Sequence, residues 1–97
     1  MYEIIYTLEV EGDLNLFRRF EQRLILDGID EMLLYEPDVE TKNRKRLRPD
    51  SITEWELRLG KFRVFYDVHA PARIVKVEAI GYKRGSRLFL HGEEYDL

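Results

Sequence analysis

From Ile52 to Leu59 the chain alternates, with Trp55, Leu57 and Leu59 on one side and Glu54, Glu56 and Arg58 on the other. After Gly60-Lys61 the alternation resumes: Phe62, Val64, Tyr66 and Val68 fall on one face, Arg63, Phe65 and Asp67 on the opposite one. A period of two residues belongs to a strand with one face buried. Two such strands joined by a tight glycine-containing turn pair antiparallel. A third segment, Ile74 to Ile80, follows the hairpin loop His69-Ala70-Pro71-Ala72 and stops at Gly81. Three consecutive strands with short connections confine the chain to folds built around an antiparallel meander.

The other segments complete an α+β pattern. Tyr2 to Val10 is rich in β-branched and aromatic residues and predicts a strand, after which Asp13 is a candidate helix N-cap. Phe17, Phe20, Leu24, Ile25, Ile29, Met32 and Leu33 recur at three- and four-residue steps, the helical period. Gly28 predicts a kink or a division into two helices, and Pro37 ends the pattern near Glu36. Asp38 to Ser51 has little apolar content and reads as a loop or irregular arm; Tyr82 to Gly85 reads as irregular and Leu88 to Leu90 as a short final strand. The expected order is β-α(-α)-β-β-β over residues 1–97 as one domain, a mostly antiparallel sheet with the helices packed on one face.

Composition narrows the function classes. Without cysteine the chain has no disulfide, thiolate nucleophile or cysteine-based zinc site. It lacks an apolar run of the roughly 18–20 residues a membrane span needs and has no signal-peptide pattern, so a cytoplasmic protein away from membranes is expected. The net charge of −3 conceals a segregation: residues 1–41 hold three basic against eleven acidic side chains, residues 42–92 thirteen basic against five acidic, and residues 93–97 three acidic ones. Such a division creates a local field that the total hides.

The basic half is concentrated in Lys42, Arg44, Lys45, Arg46 and Arg48, and again in Lys83, Arg84 and Arg87, with Arg58 and Arg63 on the strands between. A run of this density neutralises backbone phosphates if it meets nucleic acid, and is a solvated loop if it does not. A meander could bring these groups to one concave surface. Trp55, Phe65, Tyr82 and Phe89 are interleaved with them and could stack on unpaired bases, although core packing is the ordinary role of Trp55 and Phe65. His69 and His91 lack ligand spacing, so no metal site is expected. His91 with Glu93 and Glu94 is either an acid–base cluster or a plain tail.

The segment Glu56 to Val68, centred on Phe62-Arg63-Val64-Phe65-Tyr66, resembles the RelE/ParE toxin superfamily of bacterial toxin–antitoxin modules. Lys45-Arg46-Leu47 and Ala79-Ile80-Gly81-Tyr82-Lys83-Arg84 resemble two further stretches of that family at matching places, so the likeness spans essentially the whole chain. The resemblance implies a toxin that cuts mRNA in the ribosomal A site without a cofactor. A sister branch of the family instead poisons DNA gyrase, and a catalytically attenuated domain that only binds its antitoxin is a further alternative.

In the nuclease branch a 2′-hydroxyl attacks the adjacent phosphate. That step needs a base, cations for the phosphorane and an acid for the leaving oxygen. By position Arg63 matches the family's central arginine and Lys83 (or Arg84) its second basic residue, with Arg58 adding charge. The chain departs from the pattern in two ways. Glu54 and Glu56 stand where nuclease members often carry lysines, and Phe89 falls where a catalytic tyrosine is expected. Glu56, Asp50 and His91 are the candidate substitutes. The resemblance also implies a cognate antitoxin with an acidic segment that wraps the basic groove, besides mRNA and the ribosome, or gyrase, as targets.

Overall fold

The computed structural model describes residues 1–95. Its order is β1 (Glu3–Tyr6), α1 (Leu8–Leu14), α2 (Arg19–Leu33), β2 (Arg44–Arg46), β3 (Trp55–Leu59), β4 (Phe62–His69), β5 (Ile74–Arg84), β6 (Arg87–Leu90) and β7 (Glu93–Tyr95). The strands form one sheet in the order β2-β3-β4-β5-β6-β7. β1 lies parallel to the first half of β5, from Glu3 beside Ile74 to Tyr6 beside Val77; every other pair is antiparallel.

The expected first strand is shorter than its composition suggests. It ends at Tyr6 because Thr7 starts a helix: its hydroxyl accepts from the Val10 amide at 3.3 Å, and Glu9 and Glu11 follow in the favourable first turn. Asp13, expected as an N-cap, is instead inside α1 and buried. In α2, Ile25, Ile29 and Leu33 face the core, whereas Phe20 and Leu24 remain exposed. Gly28 does not break this helix. A β-carbon there would lie 2.7 Å from the Leu59 side chain, so its absence lets α2 sit directly on β3.

The main core lies between the helices and the sheet. Val10, Ile25, Ile29 and Leu33 meet Trp55, Leu57, Phe62, Val64, Tyr66, Val75, Val77 and Ile80 there. A second, smaller core forms on the opposite face from Phe65, Ala79, Leu88 and Leu90, covered by Leu47 and Ile52.

The presumed arm contains β2, whose Lys45 pairs with Glu56 and whose Arg46 pairs with Trp55. Leu47 and Glu54 then close the following loop through a 2.8 Å backbone hydrogen bond. The third meander strand runs on to Arg84, past the expected end at Gly81. Phe65 faces Ala79 and Tyr66 faces Val77, so Glu78 is an extra residue, a β-bulge. That bulge reverses the facing of everything after it. Val75 and Val77 point to the main core, but so does Ile80, while Ala79 packs in the second core.

Candidate functional site

The bulge at Glu78 sets up the site. Because facing switches there, Lys83 joins Arg63 and Phe65 of β4, and Glu56 and Arg58 of β3, on the side away from the helices. Together they line a groove of about 560 Å³. Its far wall is the end of β2 and the loop after it, with Arg46, Arg48 and Asp50, and Tyr95 of β7 completes the rim. Leu47 and Ile52 anchor that loop to the second core, which fixes the wall without burying its charged residues.

Arg58 and Arg63 are directly opposite in the β3–β4 ladder. Like charges so placed repel. Glu56 relieves the strain by accepting from Arg58 Nε at 2.8 Å. Arg63 Nη1 donates to the Gly60 and Phe62 carbonyls, at 2.6 and 2.9 Å, which fixes the guanidinium at the turn. Among the described residues Nη1 alone of its nitrogens has an acceptor. Burial lowers the Arg63 pKa; Glu56 opposes this shift and Arg58 adds to it. Arginine nonetheless stays charged at any working pH. The site is thus a fixed cation flanked by Arg58, Lys83 and Arg48, with Glu56 and Asp50 as the available proton acceptors and Tyr95 as a phenol.

The sequence-derived candidates separate. Arg63, Lys83 and Arg58 come together, with Arg46 and Arg48 on the wall. The Arg46 guanidinium, however, lies 5.6 Å over the Trp55 ring and 3.8 Å from Glu54. Lys45 shares a face with Glu56 without lining the groove, and Lys42 is exposed ahead of β2 and does not line the groove. Arg44 is spent on structure: Nε donates to the Val39 carbonyl and Nη1 to the Met32 carbonyl, each at 2.9 Å, tying β2 to the end of α2.

Arg84 and Arg87 leave the groove altogether. They pair with each other on the helix side of the sheet, Arg84 lying 5.9 Å from the Phe89 ring and Arg87 3.8 Å from Glu94. The expected single concave surface therefore excludes them. His91 also lies elsewhere, in a shallow cleft with Glu9, Asp13 and Leu16. No cluster of three or more potential metal ligands occurs among the described residues.

Phe89, the position at which a tyrosine was expected, faces the helices: its ring stacks on Tyr82 at 5.1 Å, and Tyr82 meets Phe17. A hydroxyl there would not reach the groove. Tyr95 does line it, across from Leu88 in the β6–β7 pair. Its sequence signal was His91-Gly92, a two-residue turn after an apolar strand, which returns the chain as β7.

No protein-family description and no curated protein matches this sequence. Among solved structures, the fold is similar to a chain of the toxin–antitoxin complex RelBE2 from Mycobacterium tuberculosis, with a TM-score of 0.74 and 18% identity over 84% of this chain and 98% of that one. The chain therefore has a RelE-like α+β fold.

Proposed function

We propose that this chain is the toxin of a toxin–antitoxin pair and that it cuts RNA in the groove between β3, β4, the end of β5 and β7. The observation that carries the reading is the fixed Arg63 guanidinium, flanked by Arg58 and Lys83 with Glu56 within the same groove. Glu56 takes the proton of a ribose 2′-hydroxyl. The 2′-oxygen bonds to the adjacent phosphorus while the bond to the 5′-oxygen breaks, and Tyr95 gives its proton to that leaving oxygen. Arg63, Arg58 and Lys83 hold the charge that accumulates on the phosphorane. The products are a 2′,3′-cyclic phosphate and a 5′-hydroxyl, and no step calls for a metal.

Arg48 and Arg46 extend the basic wall toward a flanking phosphate, and Lys45 shares the face of Glu56. The likeness to a toxin–antitoxin complex supports a protein partner. An acidic antitoxin segment laid along the groove satisfies the same cations and blocks RNA.

Cell-free translation with purified protein, with and without ribosomes and with mRNA ends mapped by primer extension, tests the reading. Discrete ribosome-dependent cuts that fall at least about a hundredfold with Arg63→Ala are expected, the scale of losing one preorganised charge donor. Cuts unchanged by that substitution would refute the assignment.

A second reading is a domain that acts only by binding, through its antitoxin or on DNA gyrase. It is favoured by the engagement of Arg58 with Glu56, which occupies one groove cation. Intact mRNA at protein excess supports it, and a supercoiling assay then separates gyrase inhibition from antitoxin binding alone.

A further inference from the structure

Along one flank of β5 the ladder has a gap. β1 pairs as far as Val77 and β6 begins at Gly81. The Ile80 amide falls in that gap, and Asp13 of α1 fills it: Oδ2 accepts from the amide at 3.0 Å. The side chain is 2% exposed. A carboxylate so buried needs partners for both oxygens. Oδ1 finds its partner in His91 Nδ1, at 2.6 Å. A carboxylate only accepts, so Nδ1 carries the hydrogen and Nε2 faces outward, 3.8 Å from Glu9.

His91 and Gly92 are the two residues between β6 and β7, with φ of 55° and 80°. Two consecutive positive φ values are the pattern of a type I′ turn, which favours Asn, Asp or Gly at its first position. Histidine there carries the cost of a left-handed backbone. Turn chemistry does not call for it; the bond to Asp13 does. Beyond the turn, β7 is three exposed residues at the sheet edge. Its pairing with β6 is supplemented by the exposed Arg87–Glu94 contact, worth little in water. So short an edge hairpin frays by itself.

The geometry points to Asp13 and His91 as positioning residues: their hydrogen bond latches the β6–β7 hairpin to α1 and so keeps Tyr95 in the basic groove. The kinetic consequence rests on the cleavage reading; the latch itself does not. His91→Gly is the discriminating variant, because Gly-Gly suits this turn and the hairpin still folds while no side chain is left to donate to Asp13.

Amide hydrogen exchange in His91→Gly is expected to accelerate about tenfold or more in residues 93–95 while the β3–β4–β5 amides keep their protection. Unchanged exchange in β7 overturns the latch. In the cleavage assay the maximal rate is expected to fall about tenfold with the half-saturating substrate concentration unchanged. The same substitution in a Tyr95→Phe background should cost nothing more, since the two residues act in series. Losses that multiply instead overturn positioning through Tyr95. Should the parent protein cut no RNA, the cleavage reading fails, and the exchange result alone decides the latch.

Discussion

Gly81 stands opposite Arg63 in the β4–β5 pair, and its missing side chain is what lets β6 close on β5. A β-carbon there would collide with the Phe89 carbonyl oxygen and a Leu90 methyl, and the first of these is backbone that cannot swing aside. Gly81→Ala is therefore expected to cost about 1–3 kcal/mol or more, as overpacking does. In thermal melts of a domain this size that is a fall of roughly 5 °C upward; a variant melting with the parent would mean that β6 shifts freely. Glu78, the bulge residue, gives a prediction of opposite sign. Burial, and next the Asp67 carboxylate, to which only protonated Glu78 can donate, raise its pKa. A carboxyl raised in the folded state adds stability below its unfolded pKa, and that stability is lost as pH rises through the folded value. Glu78→Gln should thus melt above the parent at pH 7 and level with it near pH 3, by a few degrees at most because water screens so exposed a group. A lower melt at pH 7 would mean that the folded protein favours the Glu78 carboxylate instead. Neither Glu78 nor Asp13 was readable from the sequence: a glutamate between two apolar residues looks like ordinary alternation, and an aspartate after glycine looks like a cap.

Elements were legible where the sequence carried a core-facing pattern. β3 and β4 alternate because one face meets α2, and Gly60-Lys61 fixes their register. β2 carries no such pattern, since all three of its residues are basic and it pairs on one side only, at the sheet edge. Charge on an edge strand discourages further pairing, and the same charge made it read as loop. α1 was hidden for the opposite reason. Leu8 and Val10 continue the apolar run of β1, and only Thr7 marks the change. Thr7→Ala removes the hydroxyl that holds the Val10 amide, and is expected to cost about 1 kcal/mol. Denaturant titration checks this through a lower midpoint at constant slope; an unchanged midpoint would mean that packing of Val10 alone holds the helix. Of the groove, Arg63 and Arg58 were legible because they alternate with core residues. Lys83 came to them through the bulge and Tyr95 through an unrecognised hairpin, neither of which a period-two reading contains.

The whole molecule is acidic, with a sequence pI near 5.4, yet its groove carries Arg46, Arg48, Arg58, Arg63 and Lys83 against Asp50 and Glu56. The field that an anionic ligand meets is set by that local balance, since exposed charges farther than about 8–10 Å are screened at physiological salt. Binding of a single-stranded RNA oligomer should therefore weaken linearly on a log–log plot against salt, with a slope of about −0.7 per phosphate engaged. With Arg46 held by Glu54, the four remaining groove cations give a slope near −3, and any charge that Glu56 neutralises brings it toward −2. Arg63→Ala should make the slope shallower by about 0.7, and Glu56→Gln should make it steeper by the same amount. Arg84→Ala and Arg87→Ala carry the discriminating prediction. Both residues are basic and close to Lys83 in sequence, but they project from the helix side of the sheet, with Arg87 beside Glu94. They should leave the slope unchanged. If either lowers it as much as Arg63→Ala does, the anion runs around the sheet edge rather than through the groove. The charge segregation would then be the recognition surface in its own right, with the geometry of β3, β4 and β5 secondary to it.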